Sequence, residues 1–127
     1  MKFKTLAILT SIVAFILGSV YLFAGAIMVG RWQIEPSVGI LLLCKRIGSL
    51  YIGLSIMYFL SRSEPPSKIR MALCAGTTIA LGLLSIMGIY ELLIGHAGSG
   101  ILASIILEAL IAFGFFLILI KDRKVIK

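Results

Sequence analysis

Four ionisable side chains, Lys45, Arg46, Glu91 and Glu108, stand inside otherwise apolar stretches of this sequence. Charges in such surroundings are costly, and they mark ion pairs, proton sites or ligand contacts. Lys45 and Arg46 are adjacent in LLLCKRIGSLYIGL, Glu91 lies in GIYELLIGH and Glu108 in ASIILEALIAF. Two cations and two acids can neutralise one another, provided that the elements carrying them bring them to a common depth.

Those elements are membrane helices. The chain has 127 residues, 61% of them hydrophobic and 13% charged, with a mean hydropathy of +1.16. These values lie outside the range of soluble domains. A span needs about 20 apolar residues to cross about 30 Å of hydrocarbon. Four segments satisfy this: 6–29, 38–60, 71–94 and 101–120. They predict an all-α fold, an integral membrane four-helix bundle with short loops, forming one membrane domain over 1–127. The prolines of SRSEPPSKIR break the chain between the second and third spans. Lys2 and Lys4 before an apolar run, with Ala24-Gly25-Ala26 further on, resemble a signal peptide and its cleavage site. The run is longer than a signal core and continues past that site, so we expect it to be retained as a span.

The net charge of +7 would suggest nucleic acid in a soluble protein, but here the basic residues cluster at span ends and read as topology signals. Lys2, Lys4, Arg62, Lys68, Arg70, Lys121, Arg123, Lys124 and Lys127 fall on one side of four spans, against Arg31 on the other. The expectation is a multi-pass protein of the cell inner membrane with both termini cytoplasmic. Its partner is the lipid bilayer, with a larger membrane complex or a homo-oligomer possible, and no nucleic acid.

Lys45 and Arg46 cannot be moved out of the second span, because Ile47 to Leu60 would make only about 21 Å of helix. On the insertion scale two central cations cost about 5 to 7 kcal/mol, and the apolar residues of the span contribute about 4 to 7 in return. The span is close to balance, so a partner would help it. At 1.5 Å per residue, Arg46 lies about 12 Å below the outer start of its span, Glu108 about 10 Å below that of the fourth, and Tyr21 about 12 Å down the first. Glu91 lies only about 5 Å from the outer end of the third span, within snorkelling reach of Lys45. We therefore expect Arg46 to pair with Glu108 beside Tyr21, and Lys45 to reach Glu91 or lipid headgroups. The simpler alternatives are that Lys45 merely snorkels, that Glu91 is interfacial, and that Arg46 and Glu108 form a structural pair.

Other residues carry little chemistry. Cys44 and Cys74 lack metal-ligand spacing and fall at different depths, so they read as buried thiols. His96 is the single histidine and sits in an outer loop, which excludes bis-histidine haem ligation within one chain. No phosphate-cradling loop, HExxH, nucleophile elbow or CxxC occurs. No cofactor is evident. Small residues four apart, as in Ala72, Gly76 and Ala80 or Ala14 and Gly18, predict close helix approach. Tyr51, Tyr58 and Tyr90 read as packing or interfacial residues, and Arg31 with Trp32 as an anchor of the first span.

The second span, KRIGSLYIGLSIMYFLSR, resembles the Arg-x-Gly-x-x-Tyr-x-Gly-Leu pattern of the DoxX-like group of small four-helix bacterial membrane proteins. The positions are Arg46, Gly48, Tyr51, Gly53 and Leu54, with Glu108 as the glutamate of the last helix. The resemblance implies a four-helix bundle with a polar site between helices, and a role as an accessory subunit or quinone-site component.

Two functional expectations follow. The first is a non-catalytic or accessory membrane subunit whose Arg46/Glu108 site binds a lipophilic ligand such as a quinone. The second is a small proton-coupled transporter that loads Glu108 alternately with proton and substrate; an Arg46 beside that carboxylate would oppose it. A membrane enzyme ranks last, for want of a nucleophile, a metal set or paired carboxylates.

Overall fold

The computed structural model describes residues 2–126. Lys127, one of the nine cations counted above, lies outside the described residues. The described residues form four long helices, α1 (Phe3–Arg31), α2 (Val38–Ser61), α3 (Lys68–Leu93) and α4 (Leu102–Ile126), with one 3-10 turn (Ser99–Ile101) leading into α4. All four are long and apolar enough to cross a membrane. Large apolar side chains such as Phe15, Phe23, Leu50, Ile86 and Phe113 point outward on every helix. That surface suits acyl chains and not water, and the protein is a small multi-pass membrane protein built as an all-α four-helix bundle.

Helix boundaries follow local chemistry. Ser37 caps α2 by accepting the Ile40 N–H at 3.3 Å, so α2 begins where Glu35-Pro36-Ser37 predicts. Ser67 caps α3 by accepting the Arg70 N–H at 3.2 Å, which moves its start to Lys68, three residues before the expected Met71. The fourth helix runs on through KDRK to Ile126 instead of ending at Ile120, because apolar length marks the hydrocarbon limit and not the end of the helix. Within α1 the backbone departs from helical geometry at Ala24 (φ −136°, ψ 33°), next to Gly25.

The bundle is two antiparallel hairpins. α1 packs along α2 and α3 along α4, and the hairpins meet mainly through α1 and α4. The first seam is made by small residues: a Cβ on Gly18 would lie 2.9 Å from the Gly48 carbonyl, and one on Gly48 would lie 2.7 Å from that of Gly18. Backbones this close need glycine on both sides. One end of the seam is clamped by Ser11 and Ser55, whose hydroxyls each donate to the other's backbone carbonyl at 2.8 Å. In the second seam Thr78 and Ser85 reach the carbonyls of Ala112 and Ile105 at 3.4 Å, and Gly88 admits Ile105.

Contacts at the two ends brace the bundle, some within the α3–α4 hairpin and some between the hairpins. On the terminal face Arg70 donates to Asp122 from Nε at 2.6 Å and from Nη2 at 2.5 Å, and its guanidinium lies 4.8 Å from the Phe3 ring centroid. On the opposite face the Gly98 N–H donates to the Trp32 carbonyl at 2.7 Å, docking the last loop against the first. A Cβ at Gly100 would collide with the Arg31 carbonyl.

Candidate functional site

The four helices do not close on one another completely. The α2 and α3 backbones stay apart and are bridged by side chains such as Tyr58 and Thr77, and a cavity of about 510 Å³ lies between the hairpins, with walls from all four helices. Its lining is almost wholly apolar, and Leu54 and Met57 on its α2 wall remain 40% and 38% exposed. The gap between α2 and α3 is thus its lateral border with lipid. Ala72, Gly76 and Ala80 face this space; a Cβ on Gly76 would touch nothing within 4 Å. Their four-residue spacing was expected to bring backbones together, and here it instead hollows one wall. Spacing specifies a smooth helix face, while the neighbouring helix decides whether that face is filled.

Polar groups enter the cavity at two levels. At the deeper level Tyr58 and Thr77 hydrogen-bond to each other, and Thr77 also donates to the Leu73 carbonyl at 2.7 Å. Thr10, 6% exposed, lines the same space, and its buried hydroxyl has no hydrogen-bond partner among the described residues. Two helical turns away, about 10 Å along the axis, stand Tyr51 and Glu108.

Glu108 also lines a second space, a crevice of about 170 Å³ at the face opposite the termini, together with Tyr21, Arg31, Trp32 and Ser104. Leu17, Tyr51, Leu107 and Glu108 belong to both linings and form the partition between them. Tyr21 stacks on Tyr51 with ring centroids 5.9 Å apart and planes 10° apart, and meets Trp32 edge-on at 6.5 Å. The aromatic trio therefore walls the partition on its α1 and α2 side.

The expected pairing of Arg46 with Glu108 is not formed. The ion pairs among the described residues are Arg70 with Asp122 and Glu91 with His96. Both Lys45 and Arg46 are exposed on α2, whose buried stripe is Cys44, Gly48, Ser55 and Tyr58. Arg46 is two residues from both Cys44 and Gly48, about 200° around the helix from that stripe. Azimuth turns Arg46 outward, and the α2 residue that shares both linings with Glu108 is Tyr51. Glu91 accepts from His96 Nδ1 at 2.8 Å and has no contact with Lys45 among the ion pairs. Of the expected site residues, the crevice brings together Tyr21 and Glu108, while Arg46, Lys45 and Glu91 stand apart.

Two features escaped sequence reasoning. Tyr51 was read as packing, yet it is the α2 partner of Glu108 in both linings. Asp122 was hidden in a basic tail, although Ile111, Phe115, Ile118 and Asp122 continue one helical stripe at spacings of four, three and four, and all four are buried. Cys44 and Cys74 are buried in separate clusters, the first with Tyr21 and Val29, the second with Phe3, Tyr58 and Phe115. No group of three or more metal-ligating side chains occurs among the described residues.

Comparison of the chain with family models, curated proteins and solved structures returned no match.

Proposed function

We propose that this is a non-catalytic membrane subunit of DoxX-like type that takes a lipophilic ligand, of the quinone class, from the bilayer into the cavity between its hairpins. The observation that carries the reading is the position of Glu108, on the partition between a large apolar cavity and a crevice at the opposite face. An apolar pocket with a few convergent polar groups is the usual form of a small-molecule site. The free hydroxyl of Thr10 at one level and Tyr51 with Glu108 at the other offer polar contacts to two ends of a flat apolar ring. The resemblance in Arg46, Gly48, Tyr51, Gly53, Leu54 and Glu108 supports the same class, with the inner membrane as its location and cytoplasmic termini.

Trp32, the single tryptophan, packs on Tyr21 beside this partition and reports on it directly. A short-chain quinone added to the purified protein in mild detergent should quench Trp32 fluorescence saturably. Gly76→Phe, which fills the cavity, should abolish saturation, and Glu108→Gln should weaken it. Linear quenching that ignores Gly76→Phe sinks the proposal.

A second reading gains from one observation: no cation pairs with Glu108 among the described residues. Arg46, the expected obstacle to a proton-coupled transporter, does not pair with Glu108, and Arg31 is the cation that shares its crevice. Proton release on adding tetraphenylphosphonium, lost in Glu108→Gln, would select this reading over the first; no release rejects it.

A further inference from the structure

On the terminal face a separate pocket of about 490 Å³ lies between the start of α1, the loop joining α2 to α3, and α4. Lys2, Lys4, Arg62 and Lys121 line it, and none of them has a carboxylate partner among the described residues. Two further charged side chains line it, Arg70 and Glu64, the latter its one carboxylate. Arg70 is held by Asp122, and Glu64 accepts the Ser67 hydroxyl at 2.8 Å while its backbone carbonyl accepts from Arg70 at 2.9 Å. The floor is apolar, made by Phe3 and Ile118, both 5% exposed. Arg62 is fixed in place by donating to the Phe59 carbonyl and by lying 4.0 Å over the Phe59 ring, which leaves the rest of its guanidinium free.

From this arrangement we infer that the pocket holds the headgroup of an anionic phospholipid from the leaflet on the terminal side. Topology alone requires cations near span ends on one side; it does not require them to converge on one concavity. Lys68, Arg123 and Lys124 meet the topological demand equally well and lie outside this pocket; Arg123 and Lys124 line a different concavity, with only two cations, beside Met71, Ile120 and Ile126. Four cations without carboxylate partners among the described residues, around a concavity roomy enough for a whole lipid headgroup and floored by apolar side chains, match a ligand with an anionic head and a hydrocarbon body. Basic pockets between membrane helices bind lipid headgroups in this way. The site is independent of the cavity at Glu108.

The test compares two variants with the same change in net charge, each made entirely at exposed positions. One is Lys2→Gln/Lys4→Gln/Lys121→Gln, inside the pocket; the other is Lys68→Gln/Arg123→Gln/Lys124→Gln, outside it. Purified protein in mild detergent is titrated with phosphatidylglycerol, phosphatidylcholine or inorganic phosphate, and retained lipid is counted by native mass spectrometry alongside the thermal midpoint. The native chain should retain phosphatidylglycerol in preference to phosphatidylcholine, and inorganic phosphate should not displace it. At roughly fivefold per cation, the pocket variant should lose about a hundredfold of this preference, and the outer variant should keep most of it. Equal loss in both variants would show only diffuse attraction to the basic face and overturns the proposal. Displacement by inorganic phosphate makes the ligand a free anion and overturns it as well.

Discussion

Arg70 holds Asp122 through two parallel hydrogen bonds of 2.5 and 2.6 Å, and so fastens the first turn of α3 to the last turns of α4. Asp122 is 1% exposed and the Arg70 side chain 13%. Removing one member of such a pair leaves a buried charge without an answer, which costs about 3–5 kcal/mol. Asp122→Ala should lower the unfolding midpoint in detergent accordingly, and Arg70→Met with Asp122→Leu should restore most of it. Equal midpoints for Asp122→Ala and the native chain would show that the pair contributes nothing.

Arg46 gives the opposite expectation. Exposed and without an ion-pair partner among the described residues, it should be replaceable by leucine with no loss of folded stability. Insertion of α2 should improve, by up to about 2.5–3.5 kcal/mol for a charge at the helix centre. A glycosylation-site insertion assay on the α1–α2 segment measures this. A drop in stability comparable to that of Asp122→Ala would instead reveal a carboxylate partner.

Glycines on the two sides of the bundle should respond differently to an added side chain. Gly48→Leu forces apart the α1–α2 seam, where even a Cβ would meet the Gly18 carbonyl, and should cost about 1–3 kcal/mol or more. Gly76→Ala meets open space and should leave the unfolding midpoint unchanged. If both behave alike, the cavity wall is not where α3 places it.

The reciprocal bonds of Ser11 and Ser55 predict coupling. Interhelical hydrogen bonds in membranes average about 0.6 kcal/mol and reach about 1.7. Ser11→Ala and Ser55→Ala should each fall in that range, and the double variant should cost less than their sum, because the two hydroxyls also lie 3.3 Å apart and either single change removes that shared contact. Strict additivity would show that the two hydroxyls act independently.

Four spans, their loops and the Ser37 start of α2 were legible because hydrocarbon thickness and capping chemistry act locally along the chain. Glu108 and Tyr21 were placed in one layer by counting helix rise, which depends on nothing but position in the span. Arg46 failed as their partner because rise gives height and not direction, and the face of α2 that meets α1 is set by Gly18 and Gly48 acting across the seam. The cavity was not legible either. The same small-residue spacing closes one seam at Gly18 and opens a hollow at Gly76, and only the neighbouring helix distinguishes the two.

The division into sequence-local hairpins has a consequence for biogenesis. Chains are made from the N-terminus, and domains generally fold as they emerge. The helix with the most doubtful insertion, α2, follows directly on the one that packs along its whole seam. When α2 leaves the translocation machinery, Gly18 and Gly25 of α1 already offer it a groove, without waiting for α3 or α4 to be synthesised. The first helix should then act as an insertion partner for the second, whose packed seam would offset the cost of Lys45 and Arg46 on its outer face.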